Sequence, residues 1–231
     1  MKVTERRNQM RATKQMSESL ELGILLALSG GFMDAYSYVC RDQVFANAQT
    51  GNMLLFGIHL SEHNWGTALH YLFPVLAFAA GIALAEALRI IFHELSTFHW
   101  RQLSVFLEAV ILMTVGFIPL TSNPLANSLT SLACGIQVES FRKIRGNGIA
   151  TTMCIGNLRS GTQHMCDYIH QKKKESLEKG LLYYGIILCF IIGAVIGNFF
   201  VDRIHEKAIF VCSVLLGLTF LLMFIDREDM E

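Results

Sequence analysis

Long apolar stretches separated by short polar ones make up most of this chain. A helix needs about 20 residues to cross a hydrocarbon core of about 30 Å. Six apolar stretches reach or approach that length, at residues 20–39, 65–92, 103–120, 125–141, 180–201 and 208–225. The pattern therefore predicts an all-α integral membrane fold with about six transmembrane helices.

The pattern also occurs twice. Six residues recur 105 positions later: Gly30, Asp34, Tyr36, Val44, Gly51 and Asn52 as Gly135, Glu139, Phe141, Ile149, Gly156 and Asn157. Gly81 and Gly193 match at an offset of 112, which implies a seven-residue insertion after Ile169. We expect one membrane domain at residues 20–225, made of repeats at about 20–120 and 124–225. A basic segment, 1–19, precedes it and a short tail, 226–231, follows.

Two polar segments, 44–60 and 148–169, are too interrupted for clear spans, and each carries one Gly-Asn pair. Lysine and arginine concentrate in cytoplasmic loops. If both segments crossed, 10 of the 19 basic residues would lie inside and 8 outside, with Arg159 in a span. If both re-enter, only Arg41, Arg203 and Lys207 lie outside and the other 16 lie inside. We expect re-entrant segments and cytoplasmic termini.

Three crossings in each half place the second half upside down relative to the first. The repeats are then inverted, and the two re-entrant segments approach the middle of the bilayer from opposite faces. Inverted repeats with broken helices are typical of transporters.

The composition agrees with a membrane protein, since 52% of residues are hydrophobic and 16% are charged, against about 25% charged in an average soluble domain. A net charge of +0 gives no signal for a nucleic-acid partner. The six cysteines show no C-x-x-C spacing, so they predict reduced core residues rather than a disulfide scaffold. No cofactor is expected.

The Gly-Asn pairs are the best candidates for a binding site. If Asn52 and Asn157 cap short helices, the free N–H groups of those helices converge on one point, which suits a polar or anionic solute. The predicted substrate-binding residues are Thr50, Gly51, Asn52, Gly156, Asn157 and Arg159. The alternative is that these glycines and asparagines only cap and turn the chain.

Charged residues inside spans are costly and indicate function by default. Asp34 and Glu139 match at the repeat offset, so they are candidate coupling or proton-carrying groups, together with Glu108. The alternative is that Asp34 and Glu139 lie near helix ends and contact Arg41 or Arg142.

The segment His59-Leu60-Ser61-Glu62-His63 fits the H-x-x-E-H pattern of some zinc enzymes. The match is short, falls at a membrane exit and has no evident third ligand. The spacing of His164, Asp167 and His170 spreads their side chains around a helix rather than toward one metal. We therefore expect neither an enzyme nor a metal site.

The stretch from Phe45 to Asn52, reading FANAQTGN, is preceded by GFMDAYSY at residues 31–38 and followed by Gly135-Ile136-Gln137. It resembles the bacterial YoaK-like family of multi-pass membrane proteins of unknown function. The resemblance covers nearly the whole chain and implies a bacterial inner-membrane location. The second copy reads Ile155-Gly156-Asn157 where the first has Thr50, so one hydroxyl is lost.

Together these features predict an inner-membrane transporter or channel for a small polar or anionic solute, surrounded by lipid. A non-transporting scaffold or sensor is the alternative, and a membrane metalloenzyme is the weakest. Homo-oligomerisation is left open.

Overall fold

The computed structural model of the protein describes residues 19–92 and 100–228. Residues 1–18 of the predicted N-terminal segment and residues 229–231 of the predicted tail lie outside the described residues, whereas residues 226–228 belong to α8. The helices are α1 (Leu20–Cys40), α2 (Gln49–Ser61), α3 (Trp65–Phe92), α4 (Trp100–Val115), α5 (Asn123–Ser140), α6 (Cys154–Gln171), α7 (Lys174–Ile204) and α8 (Ile209–Glu228). Short 3₁₀ turns at Leu120–Ser122 and His205–Ala208 precede α5 and α8. A small hairpin pairs β1 (Lys143–Ile144) with β2 (Asn147–Gly148). The all-α prediction is confirmed.

Each of the six predicted apolar stretches corresponds to one of these helices, namely α1, α3, α4, α5, α7 and α8, although α4 ends at Val115, five residues before the end of the predicted stretch 103–120. Within the described ranges, three stretches are long and apolar enough to cross a membrane: Leu20–Cys40, Trp65–Phe92 and Lys174–Met223. A fourth is present if Trp100–Val115 and Leu120–Ser140, bent by 118°, form one span. The count of six crossings stays a prediction.

Both predicted polar segments consist of a loop followed by a helix. The two loops, residues 41–48 and 141–153, lead into α2 and α6, which begin at Gln49 and Cys154. Asn52 and Asn157 are the fourth residue of each helix, so the prediction that they are N-caps is wrong. The N-cap positions are Ala48 and Met153, and neither side chain makes a capping hydrogen bond.

Two residues with positive φ redirect the chain after α1. Asp42 has a φ of 63° and Gln43 a φ of 59°, a left-handed conformation that side chains other than glycine adopt only occasionally. These two residues reverse the direction of the chain after α1 ends, so that residues 44–48 run back alongside the same helix.

The helices pack in pairs through glycines. α1 packs on α7 and α5 packs on α3, while α2 lies on α3 and α6 on α7. A Cβ added at Gly81 would overlap the carbonyl of Leu132 and touch Gly135, and one added at Gly193 would overlap the carbonyl of Leu28. Small residues let two membrane helices approach closely. These two helix pairs depend on that approach.

Candidate functional site

The two loops that precede α2 and α6 meet at Gly30, the middle residue of α1. From the first loop, Asn47 Nδ2 donates to the carbonyl of Gly30 at 3.0 Å. From the second, the carbonyl oxygen of Thr151 and Cγ2 of Thr152 both lie 3.2 Å from the place where a Cβ on Gly30 would stand. A larger residue at position 30 would push the second loop away.

Two glutamines connect the loops to the helices around them. Gln137 of α5 donates from Nε2 to the carbonyl of Leu26 at 2.9 Å and to Oγ1 of Thr151 at 3.1 Å. Gln49, the first residue of α2, donates to Ser131 of α5 at 3.4 Å. We call the residues Gly30, Asn47, Gln137, Thr151 and Thr152 the loop junction.

Three oxygen atoms at the loop junction are buried and have no hydrogen-bond partner: Asn47 Oδ1, Gln137 Oε1 and Thr152 Oγ1. The amide nitrogens of Asn47 and Gln137 each donate to a backbone carbonyl, so the orientation of both amides is set by their contacts. An unpaired buried polar atom costs about 1–3 kcal/mol and is uncommon in native proteins. The junction is therefore short of hydrogen-bond donors.

Asp34 lies one helical turn beyond Gly30 on α1. Its Oδ1 accepts a hydrogen bond from the backbone N–H of Asn47 at 2.7 Å. Asn47 is two residues before α2, so this carboxylate holds the start of α2 in place of a side-chain cap. Asp34 is thus joined to the loop junction through Asn47.

Glu139, the acidic residue 105 positions after Asp34, has a different environment. It forms an ion pair with Arg142 one turn later. The Glu139 side chain is 10% exposed and the Arg142 side chain 64%. The contact with Arg142 is the one that the alternative interpretation expects, and the two matched carboxylates are not equivalent.

Asn52 and Asn157 each bind the backbone of the residue seven positions earlier. Asn52 Oδ1 accepts from the N–H of Phe45 at 3.0 Å, and its Nδ2 donates to the carbonyl of Phe45 at 2.7 Å and to Gln49 at 2.8 Å. Asn157 makes the same two backbone contacts to Ala150, at 3.3 and 2.6 Å. Both amides therefore hold a loop closed, as the alternative interpretation expects. Solute binding by them stays a prediction.

The remaining residues predicted to bind a solute lie apart from the loop junction. Thr50, Gly156 and Arg159 are exposed on α2 and α6. Gly51 lies under the ring of Phe45, where an added Cβ would come within 2.7 Å of a ring carbon. The structure does not bring these four residues to one point.

Glu108 lies on α4 with none of its surface exposed. Both carboxylate oxygens are buried and have no hydrogen-bond partner. The thiols of Cys134 and Cys212 lie close enough to interact with it electrostatically. It is a buried acid with no contact that explains its presence.

Arg41 is a residue whose role sequence reasoning missed. It is fully buried, and Nε donates to the hydroxyl of Tyr36 at 2.9 Å. Its terminal nitrogens donate to the carbonyls of Val115, Ile118 and Pro119 and to Oδ1 of Asn123. The last carbonyls of a helix carry partial negative charge, so the Val115 carbonyl at the end of α4 stabilises this cation, together with the two carbonyls of the following turn. Its position directly after an apolar span was the available signal.

The H-x-x-E-H segment does not assemble into a metal site. His59 Nδ1 lies 3.1 Å from Glu62 Oε2, and His63 is exposed with a φ of 58°. In the part of the chain that the structure describes, no group of three His, Cys, Asp or Glu side chains could hold a metal ion.

The sequence is similar to a known protein family and to one of the curated proteins. Residues 22–222, which include both loops and every helix that borders the loop junction, match the family described as "Protein of unknown function (DUF1275)". The chain belongs to this family. The chain is also similar to the UPF0700 transmembrane protein YoaK of Bacillus subtilis (strain 168). The two are 25% identical over 184 residues, which cover 74% of this chain and 79% of the relative.

The resemblance to a YoaK-like membrane family is thereby confirmed. The apolar helices agree with the word transmembrane in that relative's name. No solved structure matches the chain. Together, the transmembrane relative and the apolar helices indicate a membrane protein.

Proposed function

We propose that this DUF1275 protein is a carrier or channel that lets a small polar solute cross the bacterial inner membrane. The observation that supports this most is the loop junction, where two irregular segments meet beside the middle of α1 and leave three buried oxygens unpaired. Irregular backbone at membrane depth is tolerated only where it is buried in protein or lines a water-filled cavity. A solute or water in the junction would supply the missing donors.

The proposed topology has six crossings arranged as two inverted repeats. Helix contacts occur in matched pairs, since α1 packs on α7 as α5 packs on α3, and α8 packs on α1 as α4 packs on α5. Each pair joins one repeat to the other. The first loop would then enter from outside and the second from the cytoplasm.

The two ends of the helices differ in charge, which supports this orientation. The end of α1 and the end of α4 meet at the buried Arg41, and the turn before α8 adds only Arg203 and Lys207 to this end. The opposite end carries the basic loop residues Arg142, Lys143, Arg145, Lys172, Lys173 and Lys174. Cytoplasmic loops carry the excess of lysine and arginine, so this second end would face the cytoplasm.

The alternative is a scaffold or sensor that does not transport. It is supported by Asn52 and Asn157, whose amide groups are already taken by loop backbone. In this case the loop junction would only fix the packing of α1 and α5. The proposal contains no catalytic step in either form.

Single cysteines at Ala48 and Met153 test the topology and the pathway together. The two positions are 105 residues apart, are exposed, and directly precede α2 and α6. In a background without the six native cysteines, an impermeant thiol reagent should label position 48 in intact cells and position 153 only in inside-out vesicles. Labelling of both from one face would contradict opposed re-entrant segments.

Transport itself is tested in proteoliposomes with methylammonium, urea and formate, a panel that contains one solute of each charge type. At least one should enter faster than into protein-free vesicles. Gln137→Leu, which removes the side chain that joins Leu26 to Thr151, should abolish this entry. Thr114→Val is the matched control, since that hydroxyl is exposed and bonds only within α4. Equal entry with and without protein for all three solutes would favour the scaffold.

A further inference from the structure

We propose that the loop junction binds a small monovalent cation through oxygen atoms. This inference rests on the proposed function only for the placement of the site on a transport route. Its basis is the chemical type of the three buried atoms that have no hydrogen-bond partner, since all three are oxygens. Asn47 Oδ1 and Gln137 Oε1 can only accept hydrogen bonds or coordinate a cation, and Thr152 Oγ1 can do both and also donate.

The charge beside these oxygens has the right sign. Asp34 is linked to the junction through the N–H of Asn47. Among the described residues, no lysine, arginine or histidine side chain forms an ion pair with Asp34. Arg41, seven residues further on, is fully engaged by helix carbonyls, Asn123 and Tyr36. One carboxylate balances a single positive charge, and the neutral oxygens can coordinate the cation or accept hydrogen bonds from it.

An anion fits the same place poorly. The start of a helix attracts anions because its first N–H groups are free. Here the N–H of Asn47 is taken by Asp34, and the N–H groups of Gln49 and Gly51 are taken by the carbonyls of Asn47 and Ala48. The start of α2 thus already holds a carboxylate of the protein, and a second anion would be repelled. Arg159, the cation predicted to attract an anion, is exposed on α6.

Ammonium-type ions and Na⁺ share the need for oxygen acceptors, so thermal unfolding of the purified protein should be measured with both. Ammonium, methylammonium, sodium and choline chlorides would be compared at equal ionic strength. A ligand that binds only the folded protein raises its melting temperature in a saturable way. We expect such a rise with ammonium and methylammonium or with sodium, and none with choline, which is too large and has no N–H donor. A rise with ammonium alone identifies N–H donation, and a rise with sodium alone identifies direct coordination.

Variants connect the rise to this site. Asp34→Asn keeps an oxygen that can accept from Asn47 and removes the charge, so the saturable rise should disappear. Thr152→Val preserves shape and should weaken the apparent affinity about tenfold, as the loss of one good contact does. Thr152→Ser should restore it, and Thr114→Val should leave it unchanged.

The results separate this proposal from the transport proposal. A cation-dependent rise without flux supports the site and removes its role in transport. Flux of urea or formate with no cation-dependent rise overturns the cation site and leaves transport standing. An equal rise with choline, or an unchanged rise in Asp34→Asn, also overturns it.

Discussion

The buried guanidinium of Arg41 donates from Nε to the hydroxyl of Tyr36 at 2.9 Å, and that hydroxyl donates to the carbonyl of Glu206 at 3.0 Å. This chain of two hydrogen bonds joins the end of α1 to the turn before α8. The other Arg41 nitrogens bind the end of α4 and the start of α5. Three separate parts of the chain therefore depend on one side chain.

Arg41→Lys should destabilise the protein by about 2–4 kcal/mol, because an ammonium cannot reach all the carbonyls that the guanidinium serves and each one left unpaired costs about 1–3 kcal/mol. Thermal unfolding in detergent measures this. Tyr36→Phe should cost less, since it removes only two contacts. Arg145→Lys, at an exposed position of the hairpin turn, is the matched control. Equal melting temperatures for the two Arg→Lys variants would contradict the assigned role of Arg41.

The glycine contacts predict opposite results at two positions of one helix. Gly193→Ala should destabilise the protein by about 1–3 kcal/mol, because the new methyl group would overlap the carbonyl of Leu28 in α1. Gly185→Ala, two turns earlier on α7, meets nothing within 4 Å and should be neutral or stabilising by up to about 1 kcal/mol. Unfolding midpoints measured side by side decide this. A stable Gly193→Ala variant would show that α1 and α7 are not in close contact.

The loop-closing asparagines predict unequal effects of the same substitution. Asn52→Asp loses two donated hydrogen bonds, to Phe45 and Gln49, whereas Asn157→Asp loses only the one to Ala150. Asn52→Asp should therefore be less stable than Asn157→Asp by about 1 kcal/mol. Chemical or thermal unfolding of the two variants in the same detergent provides the comparison. The reverse order would mean that the first loop does not depend on Asn52.

The same contacts change what is expected of leucine at these positions. Asn52→Leu and Asn157→Leu would leave the backbone N–H and C=O of Phe45 or Ala150 unpaired, at about 1–3 kcal/mol for each group. Loss of flux in such variants would reflect a lost loop as much as a lost ligand, so the Asp34 and Thr152 variants are the better probes of binding.

We expect that replacing Glu108 stabilises the protein but impairs its function. Glu108→Leu should raise the unfolding temperature, because it removes two unpaired oxygens from an apolar core and each costs about 1–3 kcal/mol. Residues that break a local rule without compensation are often functional. If Glu108 couples a proton to transport, the stabilised variant should lose any pH-dependence of flux. A fall in the unfolding temperature would mean that Glu108 makes a stabilising contact.

Much of the fold was predictable from residues alone. Each of the six apolar stretches forms a helix because only a helix satisfies every backbone group within an apolar segment. The offset of 105 residues seen in the sequence also appears in local structure, since α2 and α6 begin at Gln49 and Cys154. The positions of the two polar segments follow from the interruption of hydrophobicity by Gly51-Asn52 and Gly156-Asn157.

The partners of the polar side chains were not predictable. Asp34 and Glu139 match in sequence, yet one holds the loop before α2 and the other pairs with Arg142. Nothing in the spacing of Asn52 indicated that it would reach back to Phe45. Hydrogen bonds depend on distances of a few tenths of an ångström, which a pattern of polar and apolar positions does not specify.

The sequence by itself determined an all-helical membrane protein with two polar interruptions 105 residues apart, because hydrophobicity and chain length decide which segments become helices. Only the tertiary structure decided that Asn47 and Thr152 meet at Gly30, and that Gln137 joins the second loop to α1 one turn earlier, at Leu26. It also decided that Arg41 is buried at the end of α4. These contacts follow from how the helices cross, and the glycines at the crossings permit that arrangement by letting the backbones touch.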